Sequence, residues 1–225
     1  YPPLKNNNNT LDYITPQWQR IVNKVGKDEK ISKIQLPIHG ESYKSLEVKL
    51  KRNNFNTNKL RIVIGPNSKM PSKCWPEESY LDLGFRLIEK YDNLELLIIG
   101  GSEDYQLADN LLKLWGMKEA QNYCGKLSIG ESAELIRKCD IYIGNDTGVM
   151  HLAAMTGTFC LAIFSARDYP GLWEPFGDDH ISIRKNIDCA GCMLLECNEF
   201  ENACLKLISV DEVFLLATKF LSSDG

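Results

Sequence analysis

Four short apolar runs punctuate the chain: LRIVIG at 60–65, LELLIIG at 94–100, DIYIGN at 140–145 and TFCLAIF at 158–164. They lack the every-other-residue alternation of a strand with one wet face. Continuous apolar runs of this length mark strands buried on both faces. NYCG (122–125) and HISIRK (180–185) read as two further strands. Between them lie segments of helical period: 76–91, 105–116, 129–139 and 147–157, with 209–221 as a closing helix. Pro76 is placed at the first position of its helix, with Glu77 and Glu78 near the positive end, and Gly157 closes the fourth. Strand and helix alternating in this way predict right-handed βαβ units and an α/β fold, a parallel sheet covered by helices on both faces.

The first 58 residues read differently. Residues 1–10, with two Pro and four consecutive Asn, form a tail or linker. TPQWQRIVNKVG (15–26) predicts a helix capped by Thr15 and stopped at Gly26, and ISKIQLPI (31–38) a short strand that Pro37 confines to an edge. Residues 41–55 carry Tyr43, Leu46 and Leu50 at helical spacing, and the polar break at 53–58 is taken as a domain boundary.

Composition narrows the class. Of 225 residues, 44% are hydrophobic and 25% charged, ordinary for a globular chain, and the net charge of −4 offers no basic field for nucleic acid. No apolar run approaches the roughly 20 residues of a membrane helix. YPPLKNNNNT carries no secretory h-region, so a cytoplasmic setting is expected; the chain begins with Tyr1, which need not be a native start.

In a parallel sheet, ligands bind beyond the carboxyl ends of the strands. Loops 66–75, 101–104 and 144–148 all leave such ends, so topology places them on one rim. In GNDTGVMHLAA (144–154), a helix beginning near Thr147 would present unpaired amides and a partial positive charge to that rim. Gly148 lets a ligand approach the backbone, Thr147 adds a hydroxyl, and His151 follows about one turn on. This is a site suited to phosphate, with Asp146 either capping the helix or accepting from a sugar hydroxyl. Loop 66–75 adds Lys69 and Lys73, either as phosphate partners or as solvated side chains, together with Asn67 and Ser68. Glu103 and Asp104 of GGSED can accept from a ribose diol or cap the next helix. Neither G-x-G-x-x-G nor G-x-x-x-x-G-K-[ST] is present, and a phosphate site of helix amides and lysines needs no metal.

Eight cysteines are present. Cys74, Cys124, Cys139 and Cys160 sit in or beside apolar segments as small hydrophobes. Cys189, Cys192, Cys197 and Cys204 form a C-x2-C-x4-C-x6-C string, read as a metal site, a disulfide pair set or free thiols in a loop.

KCWPEESY, LLIIGGSED, CGKLSIGE, GNDTGVMHLAA and CAGCMLLEC, in that order, resemble glycosyltransferase family 9, the bacterial heptosyltransferases of lipopolysaccharide synthesis, over about residues 58–220. The resemblance implies a GT-B architecture of two Rossmann-like domains, with 59–225 the domain that binds the nucleotide-sugar donor and 1–58 a linker and remnant of the acceptor domain. It implies that Lys73 contacts the donor phosphates, that Asp146, Thr147, Gly148 and His151 hold the diphosphate and sugar, and that Glu103 or Asp104 meets the ribose. The implied reaction is inverting, metal-independent and without a cofactor, moving a sugar from ADP-heptose or a similar donor to a lipopolysaccharide core or another surface glycan. Peripheral association with the inner membrane goes with that role. The family's general base lies in the first domain and has no counterpart here, so the chain alone is expected to bind donor and turn over poorly or not at all. A non-catalytic nucleotide-sugar-binding module is the alternative.

Overall fold

The structure is a computed structural model that describes residues 35–52, 59–118 and 120–223. Helix α1 (Gly40–Arg52) precedes a regular alternation. It runs β1 (Leu60–Gly65), α2 (Glu77–Lys90), β2 (Leu94–Ile98), α3 (Tyr105–Trp115), β3 (Gln121–Asn122), α4 (Ile129–Ile136), β4 (Ile141–Asn145), α5 (Gly148–Thr156), β5 (Phe159–Phe164) and β6 (Ile181–Arg184). A one-turn α6 (Ala203–Lys206) and α7 (Val210–Ser223) close the chain. The expected helix at 15–26 and most of the strand at 31–38 lie outside the described residues; 35–39 carry no strand. Pro76 caps α2 from just outside instead of opening it, and the NYCG strand sits one residue earlier, at Gln121–Asn122.

All six strands are parallel, in the order β3-β2-β1-β4-β5-β6. Each apolar run divides its residues between two cores, because successive side chains point to opposite faces. Ile62, Ile64, Leu96, Ile98, Ile141, Ile143, Leu161 and Ile163 meet α2, α3 and α7, with Trp75, Leu83, Leu87 and Trp115. Val63, Leu97, Tyr142, Cys160, Ala162 and Phe164 face the other way, onto α1, α4 and α5. The helices end where the sequence placed glycine: Gly116 and Gly157 adopt the left-handed conformation at φ 65° and 83°. Ser128 and Glu131 form a reciprocal capping box at the start of α4.

Helix α1 belongs to this packing. Leu46 and Leu50 are buried in the second core, and Ser45 Oγ and Lys49 Nζ donate to the Glu131 carboxylate at 2.6 and 2.9 Å.

At the centre of the sheet, Gly65 pairs with Gly144 across β1 and β4. A Cβ on Gly144 would lie 2.5 Å from both the Gly65 carbonyl oxygen and the Tyr142 hydroxyl. Neither neighbour is a flexible chain end. Gly144→Ala is therefore expected to cost about 1–3 kcal/mol through overpacking, read as a lower denaturant midpoint at unchanged slope; an unchanged midpoint would show that β1 and β4 separate freely.

Candidate functional site

Strands β1 and β4 are neighbours, but the chain leaves them in opposite directions, toward β2 and toward β5. A crevice opens at such a switch point, outside the carboxyl ends of the strands. One wall is the segment after β1, including a 3-10 turn at Pro71–Lys73. Asn145, the last residue of β4 and fully buried, fixes that wall. Its Oδ1 accepts from the Trp75 amide (3.1 Å) and the Tyr80 hydroxyl (2.9 Å), and its Nδ2 donates to the Pro66 carbonyl (2.9 Å). The Trp75 indole donates to the Ile208 carbonyl and packs edge-on against Tyr80.

The anchored turn delivers Lys73 to the crevice floor. Only 8% of Lys73 is exposed, and its Nζ lies 2.5 Å from Asp146 Oδ2 and 3.1 Å from Asp168 Oδ2. Arg167 Nη1 bonds both Asp168 oxygens at 2.8 and 2.9 Å. Arg184 donates to the Ser165 and Asp168 carbonyls and to Glu174, and the Trp173 ring lies 5.8 Å from the Lys73 ammonium. Three cations, Lys73, Arg167 and Arg184, and three carboxylates, Asp146, Asp168 and Glu174, thus balance in a small volume. Burial pushes the Asp146 carboxyl above its ordinary value, while the Lys73 ammonium pulls it back down.

Across the crevice, α5 begins. Thr147 is its extended N-cap and makes no side-chain capping bond. The amides of Gly148, Val149 and Met150 open the helix, where no earlier carbonyl is placed to receive them. A Cβ on Gly148 would meet nothing within 4 Å, so that approach is open. His151 Nε2 stands 4.0 Å from Asp146 Oδ1. Burial lowers the His151 pKa, opposed by Asp146.

The structure therefore brings Lys73, Asp146, Thr147, Gly148 and His151 together. Ser68 lies in the same loop but turns inward on its own segment, where its Oγ accepts from the Met70 amide at 3.4 Å; Lys69 is exposed. Asp104 is engaged locally, accepting from the Gly101 amide (2.8 Å) and Asn67 Nδ2 (2.6 Å), whereas Glu103 is exposed beside it. Asp168 and Arg167 were missed by sequence reasoning. Their signal was available: residues 165–168 leave the carboxyl end of β5, so the rule that selected the other three rim loops selects this one too.

The eight cysteines are all free thiols, so no disulfide joins the C-x2-C-x4-C-x6-C string. Among the described residues, no three His, Cys, Asp or Glu side chains are set at metal-holding spacing, and no helix is long and apolar enough to cross a membrane. A cavity of about 360 Å³, lined by Arg137, Phe159, Phe176, His180 and Phe220, lies at the amino ends of β4 and β5, on the edge opposite the crevice.

The likeness of the chain to known proteins lies in its sequence and its fold. The sequence matches glycosyltransferase family 9 (heptosyltransferase) over residues 18–202, starting well ahead of residue 58, where the motif resemblance begins. Lipooligosaccharide heptosyltransferase 2 of Campylobacter jejuni is 24% identical over 188 residues, 79% of this chain and 57% of that protein. The chain spans between 24% and 57% of the first curated relatives' own length. A glycosyl transferase family 9 structure from Veillonella parvula superposes with a TM-score of 0.75 at 18% identity, covering 99% of this chain and 63% of that one. The Escherichia coli ADP-heptose lps heptosyltransferase II superposes with a TM-score of 0.67 at 20% identity, over 85% of this chain and 54% of that one. At these identities the superpositions establish a shared fold.

Proposed function

The chain belongs to glycosyltransferase family 9, and on that premise we propose that it holds the nucleoside diphosphate of an activated sugar in the β1/β4 crevice for inverting transfer to a lipopolysaccharide or related glycan. The convergence of Lys73, Asp146 and the α5 start at one switch point carries this reading. The diphosphate lies against the amides of Gly148 to Met150, beside Thr147 and His151, with Lys73 on its other flank. As an acceptor hydroxyl attacks the anomeric carbon, negative charge gathers on the departing diphosphate. The start of α5 supplies a dipole already fixed toward that charge, and the Lys73 ammonium, held by Asp146 and Asp168, adds its positive charge from the crevice floor, so stabilisation comes without a metal ion at the phosphates. The acceptor hydroxyl requires a base, a role that no residue of this crevice is assigned.

Glu103 is the acid assigned to the ribose, because Asp104 spends one oxygen on the Gly101 amide and the other on Asn67 of the loop after β1. Residues 59–225 form the donor-binding domain in this reading, with α1 docked upon it. ADP-heptose is the proposed donor, supported by the name of the structurally similar Escherichia coli enzyme. Action at the cytoplasmic face of the inner membrane goes with a glycan acceptor of that kind.

A calorimetric panel of ADP, UDP, GDP and CMP tests the proposal. ADP should bind most tightly; no binding by any diphosphate would overturn it. The same experiment carries a pH signature. In the free protein burial lowers the His151 pKa from its ordinary value. A neighbouring diphosphate favours the imidazolium, so binding takes up a proton and tightens as pH falls through the interval between the free and bound pKa values. ADP's own terminal phosphate titrates nearby, so the readout is the difference between the natural protein and His151→Gln. That difference should reach about two- to fivefold for a partly exposed charge pair, and its absence would remove His151 from the site.

A further inference from the structure

The segment that leaves the carboxyl end of β5 carries an aromatic residue with no place in either core. Trp75 and Trp115 are buried, and their indoles donate to the Ile208 and Leu81 carbonyls. Trp173 is 38% exposed, and among the described residues its indole N–H meets no acceptor. The backbone around it is held. Arg184, on β6, donates to the Ser165 and Asp168 carbonyls at one end of the segment and to Glu174 at the other. The Trp173 amide donates to Glu174 Oε2 at 3.2 Å, Gly171 turns the chain with a left-handed φ of 83°, and the Tyr169 ring lies against Gly191. A ring carried on backbone fixed at both ends has little freedom left to lose when a ligand covers it.

The ring belongs to the crevice by position. Its centroid lies 5.8 Å from the Lys73 ammonium, at the outer limit of cation–π contact. Asp146 and Asp168 hold that ammonium far more closely, so the lysine does not need the ring and leaves it open. Glu174, next in sequence, is near enough for its charge to act on His151. Trp173 and Glu174 therefore stand beside Lys73 and His151, the two side chains placed against the diphosphate.

We propose that Trp173 is a stacking platform for the sugar ring of the donor, a specificity-determining role that rests on the donor reading of the crevice. The sugar hangs from the distal phosphate, so it lies next to the groups that hold that phosphate. A pyranose carries C–H groups across much of one face and hydroxyls around its rim. The electron-rich face of an indole attracts such C–H groups and covers them from water, while the indole N–H remains free to donate to a hydroxyl. A diphosphate offers the ring neither feature. The platform therefore acts on the sugar and leaves the nucleotide to Lys73 and the start of α5.

Calorimetry with ADP and with ADP-heptose on the full chain provides the test. Trp173→Ala should weaken ADP-heptose binding by about 3- to 10-fold and ADP binding by less than about twofold, with circular dichroism unchanged. Trp173→Phe, which keeps an aromatic face, should recover most of the loss. ADP-heptose, unlike ADP, should shift the tryptophan emission of the natural chain, and Trp173→Phe should abolish that shift against the constant background of the other tryptophans. Equal losses for both ligands would make Trp173 a support for Lys73 alone and overturn the platform; so would a loss for neither, or an emission that ADP-heptose leaves unmoved. In each of these cases the natural chain still binds ADP, and the donor reading survives. A natural chain that binds neither ligand overturns both.

Discussion

Lys73→Ala is expected to weaken ADP binding by about 10- to 100-fold, 1.4–2.8 kcal/mol, while adenosine binding changes by less than about twofold. The reason is the charge balance of the crevice floor. Lys73 lies between Asp146 and Asp168, at 2.5 and 3.1 Å. Without it, two buried carboxylates face the incoming diphosphate, with only Arg167 left beside Asp168. The change therefore removes an attraction and exposes a repulsion, both felt by phosphate and neither by the nucleoside. Because removing one partner of a buried ion pair also destabilises the fold, Lys73→Met, which keeps the apolar stem, is the companion variant. Calorimetry on both, with thermal melts as the folding control, decides the matter. Equal losses for ADP and adenosine would mean that Lys73 serves only the protein's own packing.

The largest effect on stability is expected at the sheet, away from the crevice. Arg61 and Glu95 stand opposite each other on β1 and β2, each side chain about 4% exposed, with Nε and Oε2 2.7 Å apart. Glu95 also accepts from Gln121 on β3. Glu95→Ala takes the carboxylate from a buried cation and should cost about 3–5 kcal/mol, or roughly 2–4 °C of melting temperature per kcal/mol for a domain of this size. Replacing both partners with Leu should recover most of that loss, because the pair's mutual attraction is largely spent on its desolvation. A single variant within about 1 kcal/mol of the natural chain would show that water reaches this part of the ladder.

Much of the architecture was readable because its signals are local. Ile62 to Ile64 and Ile141 to Ile143 had to lie in a sheet buried on both sides, since every position in them is apolar. Gly116, Gly157 and the Ser128–Glu131 box mark helix ends through backbone chemistry that needs no tertiary partner. The crevice was readable to the same depth: a Gly after a strand-ending acid and a hydroxyl, and a lysine ahead of a Trp-Pro corner. What left no local signal was long-range. Asn67, distant in sequence, donates to Asp104. Asp168 and Arg167 fall in a loop with no periodicity, and their importance comes from Lys73 and from the carbonyls of residues 193 and 194. The one-turn α6 is too short to leave a pattern at all.

Asn145 has a consequence of its own. It takes two hydrogens through its oxygen and gives one through its nitrogen, so the hinge between the central strand and the Lys73 wall is read by an amide and by no other group of that size. The acid of identical shape would set a lone pair against the Pro66 carbonyl and spring the wall open. Sealed from solvent at the end of a strand, this amide is also shielded from the slow hydrolytic ageing that exposed asparagines suffer, and the molecule keeps its alignment for as long as its sheet stays shut.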